Sequence, residues 1–223
     1  MLFRSGCTVV AKPSEETPLT AAALAELSAE AGFPAGVLNV VQGRGAECGA
    51  AIVAHPGIPV ITFTGGTETG ARIMATAGPM FKRVALELGG KNPTIVFADA
   101  DFDAALAGGV RAGFQNQGQI CLCGSRVLVE RSIYARFRDA FVERVRALRV
   151  GDPMDAATEQ GSLVSRAHQA KVAAAVERAR AEGGRILCGG AAPEPSALPE
   201  RVRAGARSEE HTSELQSPCN LVC

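Results

Sequence analysis

Two cysteines stand in the segment Asn116-Gln117-Gly118-Gln119-Ile120-Cys121-Leu122-Cys123-Gly124-Ser125-Arg126, just ahead of the β-branched run Val127–Val129. The thiolate is the attacking form of cysteine, and a helix N-terminus nearby would draw the Cys121 pKa below the free value of about 8.5. A cysteine taken at random is more often an inert buried residue. Upstream, Glu87-Leu88-Gly89-Gly90-Lys91 follows the apolar run Val84–Leu86, so a carboxylate stands where a strand gives way to flexible backbone. A lone Glu in such a place is usually only solvated. Two glycine-rich turns come earlier. Gly43-Arg44-Gly45-Ala46-Glu47-Cys48-Gly49 has the spacing GxGxxxG after Val37–Val41, one residue longer than a dinucleotide fingerprint. A tight strand-to-helix turn that needs glycine at positive φ explains it equally well. Phe63-Thr64-Gly65-Gly66-Thr67-Glu68-Thr69-Gly70 is a second such turn, feeding a helix whose unpaired N–H groups can face a pyrophosphate. Two such turns after successive strands point to a nucleotide site.

These segments need a scaffold, and the chain supplies one in alternation. Short β-branched runs (Thr8–Val10, Val37–Val41, Val60–Phe63, Thr94–Phe97, Val127–Val129) alternate with stretches of helical period such as Thr17–Ala31, Glu68–Ala77 and Ser132–Leu148. That pattern predicts an α/β fold with a parallel sheet, its low-charge strands covered by helices on both faces. Thr17-Pro18 predicts a helix N-cap with Pro at the first helical position, and Gly32 a C-terminal stop. Asp99, Asp101 and Asp103 imitate the start of a calcium loop, but Ala104 and Val110 stand where Gly and Glu are required, so helix capping is expected and no metal site. The Arg-rich stretch Arg131–Arg149 reads as a solvated helix face, and His55 and His168 as ordinary residues.

Composition narrows the class. With 23 Lys+Arg against 23 Asp+Glu in 223 residues, the formal charge is zero, which argues against a basic nucleic-acid surface. The 47% hydrophobic content excludes global disorder, and no apolar run approaches the roughly 18 residues of a membrane span. Seven irregularly spaced cysteines read as free thiols, consistent with a cytoplasmic protein.

Taken as a set and in this order, KPSEETP (Lys12 to Pro18), FTGGTETG (Phe63 to Gly70), ELGGKNP (Glu87 to Pro93) and NQGQICLCGSR (Asn116 to Arg126) resemble the aldehyde dehydrogenase superfamily. The resemblance runs over essentially Gly6 to Gly190, and Glu87 and Cys121 lie the expected 34 residues apart. Cys-Leu-Cys, with Glu130-Arg131-Ser132-Ile133-Tyr134 following, is most similar to the 2-aminomuconate and 2-hydroxymuconate semialdehyde dehydrogenases. Another semialdehyde or betaine-aldehyde dehydrogenase is the alternative, as is an inactive NAD-binding fragment.

The resemblance implies an aldehyde dehydrogenase-like fold: the second part of a Rossmann-type NAD-binding domain over 6–88, joined to the first part of an α/β catalytic domain over 89–206. It implies NAD-dependent oxidation of an aldehyde, with Cys121 as nucleophile and Glu87, its pKa raised by partial burial, as the general base. Lys12, Ser14 and Glu15 match cofactor contacts on the adenosine ribose, where Glu15 disfavours a 2′-phosphate and so selects NAD over NADP. Gly45 matches a position near the adenine, Gly65 and Gly66 the pyrophosphate turn, and Leu88 a further cofactor contact. Gly66 departs from the Gly-Ser common in the family and removes one hydroxyl donor. Cys123 is expected to pack beside the nucleophile, with a resolving thiol as the lesser reading; Asn116 and Lys91 are expected to be structural. The parent enzyme is expected to be a homo-oligomer acting on a small aldehyde, without nucleic-acid or membrane partners.

The two ends read differently from the middle. Arg207–Ser217, RSEEHTSELQS, matches the translation of a common sequencing-library adapter, and Leu2–Ser5 matches that of its reverse complement. Residues 1–5 and 207–223 are therefore expected to be non-native adapter translation. The family's oxyanion-holding Asn, a second ribose-binding Glu and an oligomerisation hairpin fall outside the span, so the isolated fragment is expected to be inactive.

Overall fold

The computed structural model describes residues 6–191 and 221–222. Residues 1–5, 192–220 and 223 are outside the description, so the expected adapter ends lie outside the described residues except for Leu221–Val222, as do residues 192–206 of the expected catalytic part. The chain forms two compact units that divide between Leu88 and Gly89.

The first unit runs β1 (Val9–Ala11), α1 (Leu19–Glu30), β2 (Leu38–Val40), a π-helical turn (Gly45–Gly49) leading into α2 (Ala50–Ala54), β3 (Val60–Gly65), α3 (Thr67–Ala77) and β4 (Arg83–Leu88). β1 and β2 pair in parallel from Val9↔Leu38 to Ala11↔Val40, and β3 and β4 from Val60↔Arg83 to Gly65↔Leu88. Parallel neighbours cannot be joined by a tight hairpin, and α1 and α3 provide the crossovers. The α/β architecture with parallel pairing is thus as the alternating pattern implied. Ile61 of β3 packs with Val53, Ile73 and Ala77 of the helices to form the core, with Phe63, Val84 and Leu86 against it.

Two details differ from the sequence reading. Helix α1 begins at Leu19 with Pro18 as its N-cap and no side-chain cap bond, because Thr17 is drawn back into a turn in which its N–H donates to the Ser14 carbonyl (3.2 Å). Gly32 does end the helix as expected, at φ +81, with the Phe33 N–H donating to the Ser28 carbonyl. The strands are also not covered on both faces. In β4, Val84, Leu86 and Leu88 are half-buried while Arg83, Ala85 and Glu87 are exposed. A two-stranded pair with helices packed on one side leaves the other face of the pleat bare.

The second unit runs β5 (Pro93–Val96), α4 (Phe102–Phe114), a 3-10 turn (Gln115–Gly118), β6 (Arg126–Val129), α5 (Tyr134–Arg146), α6 (Arg166–Ala181), β7 (Ile186–Cys188) and β8 (Leu221–Val222). β5 and β6 are parallel, Pro93↔Arg126 to Val96↔Val129, and β7 pairs antiparallel with β8. Asp101 caps α4, its Oδ1 accepting from the Ala104 N–H at 3.0 Å, which is the capping role expected of the Asp cluster. The Arg-rich helix α5 is two-sided: Phe137, Phe141, Val142 and Val145 are buried beneath its charged face. Phe137 lies edge-on to Phe102 and stacks on Phe141, both at 5.8 Å between centroids. Gly109 lets α4 approach this cluster, since a Cβ there would stand 3.1 Å from the Phe141 ring. Helix α6 was not signalled by any strong apolar period; only Val176 of it is buried, and Ser165 caps it. Among the described residues, no helix is long and apolar enough to cross a membrane.

The aromatic cluster sets the stability of the second unit. Phe137 is 1% exposed, so Phe137→Ala is expected to cost about 3–5 kcal/mol. Urea unfolding monitored by circular dichroism checks this; a loss below about 1 kcal/mol would contradict the packing described.

Candidate active site

In the first unit the polar residues of KPSEETP fold back onto the first glycine-rich turn. The Lys12 ammonium donates to the Gly43 carbonyl (3.1 Å) and to Pro13, and it pairs with a Glu15 carboxylate oxygen at 3.5 Å. The other Glu15 oxygen accepts from the Gly45 N–H at 3.5 Å. Lys12 is well covered, its side chain 14% exposed against 47% for Glu15, and its stem runs past Gly49, where a Cβ would lie 3.7 Å from it. Gly43 has φ +150, and a Cβ there would meet the Cys48 Cβ at 2.7 Å. The glycine is therefore required by the backbone itself, as the plainer reading of that turn held. Ser14 accepts from the Glu16 N–H and holds the turn before α1. Lys12, Glu15, Gly43 and Gly45 are thus gathered, and the half-exposed Glu15 carboxylate, with one contact on each oxygen, has acceptor sites left for a further donor.

The Glu15 carboxyl is held below the ordinary carboxylate range, first by hydrogen bonding from its own backbone N–H, then by the Gly45 N–H and the Lys12 charge. A depressed carboxylate contributes its contacts above its unfolded pKa and loses them as pH falls through the folded value.

The second glycine-rich turn lies at the carboxyl end of the β3–β4 pair. The register sets Thr64 opposite Glu87 and Gly65 opposite Leu88, so these four residues share one strand end. At Gly65 an added Cβ would stand 2.5 Å from the Phe63 ring, whereas at Gly66 it would meet nothing within 4 Å. Gly66 therefore opens onto free space at the start of α3, where the backbone N–H groups of the first turn have no helical partner. An open glycine backbone at a helix start offers unpaired N–H donors of the kind that receive a pyrophosphate, and the Lys12–Glu15 turn of the same unit offers a carboxylate of the kind that receives ribose hydroxyls. Leu88 is half-buried, and its methyls fill the space at Gly70, where a Cβ would be 2.9 Å away. Glu87 is exposed on β4; the expected partial burial is not found in this unit, because odd-numbered residues of β4 face away from the core.

In the second unit, Cys121 is exposed and Cys123 is buried. Cys121 follows the Gln115–Gly118 turn and precedes β6, so it stands at no helix N-terminus. The Asn92 side-chain amide donates to the Cys121 carbonyl at 2.8 Å and to the Cys123 carbonyl at 3.4 Å. Cys123 points inward, its thiol 3.9 Å from the Gln115 carbonyl, in the packing role expected for it. Gly124 is held between α4 and β5: its N–H donates to the Ala112 carbonyl of α4 (2.9 Å), and a Cβ would come 2.3 Å from Thr94 Oγ1 of β5. Before Cys121, Asn116 (φ 50) and Gln117 (φ 54) are both left-handed, a conformation that costs a non-glycine residue roughly 1–2 kcal/mol. Asn116 is thus structural in its loop, as expected. The residue that sequence reasoning passed over is Asn92; its place inside ELGGKNP, directly before a strand, was the available signal. Among the described residues, no group of three or more His, Cys, Asp and Glu could hold a metal ion.

Residues 3–201 match the model of the Aldehyde dehydrogenase family. The 2-aminomuconic semialdehyde dehydrogenase of Bos taurus is 47% identical over 201 residues, which are 90% of this chain and 41% of that protein. The mitochondrial succinate-semialdehyde dehydrogenase of Arabidopsis thaliana is 51% identical over 186 residues, 83% of this chain and 35% of that protein. A crystal structure of betaine aldehyde dehydrogenase from Staphylococcus aureus in complex with NAD+ superposes with a TM-score of 0.88 at 38% identity, covering 97% of this chain and 41% of that one. The chain spans about two fifths of the length of these relatives.

Two outcomes follow from the geometry. Gly124→Ala should destabilise the second unit by about 1–3 kcal/mol, and Thr94→Ala in the same chain should restore most of that loss, since the clash is with the Thr94 hydroxyl. Urea denaturation of the four proteins of the cycle decides it. The Gly45 amide resonance should move as Glu15 is protonated, with a midpoint below the usual carboxylate range, and stay flat over that pH interval in Glu15→Gln.

Proposed function

Because the chain belongs to the aldehyde dehydrogenase family, we propose that it carries the cofactor turns and the nucleophile of an NAD-dependent oxidation of an aldehyde to a carboxylic acid. The observation that carries this reading is the pairing of an exposed Cys121, pinned at its carbonyl by Asn92, with a buried Cys123 two residues on. One thiol is presented and its neighbour is withdrawn.

In this reading the Cys121 thiolate adds to the aldehyde carbon and leaves a tetrahedral thiohemiacetal on the chain. NAD, when bound, supplies the hydride acceptor that turns this adduct into a thioester. Glu87 takes a proton from water, and the resulting hydroxide attacks the thioester carbonyl, releasing the acid and freeing Cys121. Lys12, Ser14 and Glu15 hold the adenosine ribose, Gly45 lies by the adenine, the open backbone at Gly65 and Gly66 receives the pyrophosphate, and Leu88 completes the cofactor contacts. Glu15 accepts hydrogen bonds from ribose hydroxyls and repels a 2′-phosphate, which favours NAD over NADP.

The substrate we assign is a muconic-type semialdehyde, supported by the 47% identity to the bovine enzyme. Betaine aldehyde is the second reading, favoured by the high structural similarity to the Staphylococcus aureus enzyme. We assign 6–88 to the second part of the cofactor domain and 89–206 to the first part of the catalytic domain, and take the parent as a cytoplasmic homo-oligomer. The irregular spacing of the cysteines agrees with a reducing compartment.

Alkylation by iodoacetamide, read cysteine by cysteine with mass spectrometry, tests the reading. Adding NAD to the 223-residue chain should change the rate at Cys121 and leave the exposed Cys7 unchanged. Equal behaviour of the two thiols would refute it. Glu15→Gln should weaken NAD binding by about 0.7–1.4 kcal/mol, roughly threefold to tenfold, while weakening NADP binding less. Isothermal calorimetry with both nucleotides reads that difference.

A further inference from the structure

Two sides hold the loop that carries Cys121. Asn92, directly before β5, holds it from one side; the other holder lies outside every motif named so far. Asn116, Gln117 and Gly118 form three consecutive left-handed residues, φ 50, 54 and 72, between the end of α4 and the thiol. Two of them are not glycine, so the turn persists only where its surroundings over-determine it.

Those surroundings are Gln160 and Gly161. The Gln160 side chain, 3% exposed, donates from Nε2 to the carbonyl of Phe114, the last residue of α4, at 2.8 Å. With the Gln117 amide assigned in the orientation that satisfies its neighbours, the Gly161 N–H donates to the Gln117 side-chain oxygen at 2.9 Å and the Gln117 nitrogen donates to the Asn116 carbonyl at 2.9 Å. Adjacent residues thus grip the turn at its entry and at its centre. The grip is itself braced: the Gln160 N–H donates to the Arg149 carbonyl and its carbonyl accepts from the Gly151 N–H, both at 3.0 Å, around the parallel bridge Val150↔Gln160. Gly161 is in close contact with the same side chain, since a Cβ there would come 3.1 Å from the Gln117 amide.

We propose that Gln160 and Gly161 are positioning residues, which hold the left-handed turn Asn116–Gly118 and so fix how the following loop presents the Cys121 thiol. The catalytic meaning of this rests on Cys121 being the nucleophile; the holding itself does not. The Gln160 amide donates to the Phe114 carbonyl where α4 gives way to this turn, and so ties the turn's entry to the Arg149–Gly151 segment.

Bromotrifluoroacetone attaches a trifluoromethyl reporter to exposed thiols of the 223-residue chain, and the fluorine-19 lines of Cys7 and Cys121 are assigned with Cys7→Ser and Cys121→Ser. Gln160→Met keeps the side-chain volume and removes the donor. The Cys121 line should then shift by more than its own width or split, while the Cys7 line stays in place. Gln117→Met, at a half-buried position, removes the acceptor for Gly161 and should do the same; it carries the test if Gln160→Met does not fold. Val176→Ala, a core truncation in α6, should lower stability without moving the Cys121 line. An unmoved Cys121 line in the methionine variants, or the same movement in Val176→Ala, overturns the proposal. Since the readout is the surroundings of the thiol rather than turnover, failure of Cys121 as nucleophile would leave a positive result intact.

Discussion

Parallel strand pairing is the constraint from which both halves of the candidate site follow. In a parallel pair the two strands start together and end together, so the segments entering them meet at one edge and those leaving them meet at the other. In the first unit the leaving ends matter: Gly65 and Leu88 stand opposite each other, with Thr64 opposite Glu87, and the open backbone of Gly66 follows. In the second unit the entering ends matter. Pro93 pairs with Arg126, so Asn92 and the Cys121–Ser125 loop arrive side by side, and Asn92 reaches the Cys121 carbonyl. A hairpin would have separated these segments by the full length of a strand.

Close backbone approach is what the glycines contribute, and the positions differ in kind. Gly124 is required because Thr94 of the neighbouring strand occupies the place of a side chain, and Gly43 because Cys48 does and its φ is positive. Gly66 has open space around it, and there the missing side chain leaves room for something else. The same motif letter thus serves packing in two places and access in a third. Around Cys121 the strain runs the other way: Asn116 and Gln117 carry side chains in a conformation that suits glycine, and hydrogen bonds from a distant loop hold them there.

Much of this was legible in the sequence. The alternation of β-branched and Ala-rich runs gave the order of the elements and the parallel sense of the pairs. Asp101 could be read as a cap and Gly32 as a stop because capping is local chemistry, decided within a few residues. Thr17 was misread for a related reason: its backbone N–H is committed to Ser14, a competition between two local turns that composition does not rank. Helix α6 was missed because Val176 is its only buried residue, and periodicity reports burial rather than helicity.

The sequence by itself determined the residue types, their order and the local turns, which suffices to name the family and to single out Glu87 and Cys121. What only the tertiary structure decided is how far each of the two nearby thiols is exposed, which face of β4 carries Glu87, and which distant side chains hold the loop that carries Cys121. These depend on contacts between residues far apart in the chain, such as Asn92 with Cys121 and Gln160 with Phe114. A hydrogen bond fixes atoms within a few tenths of an ångström, whereas sequence spacing fixes only the length of chain between them.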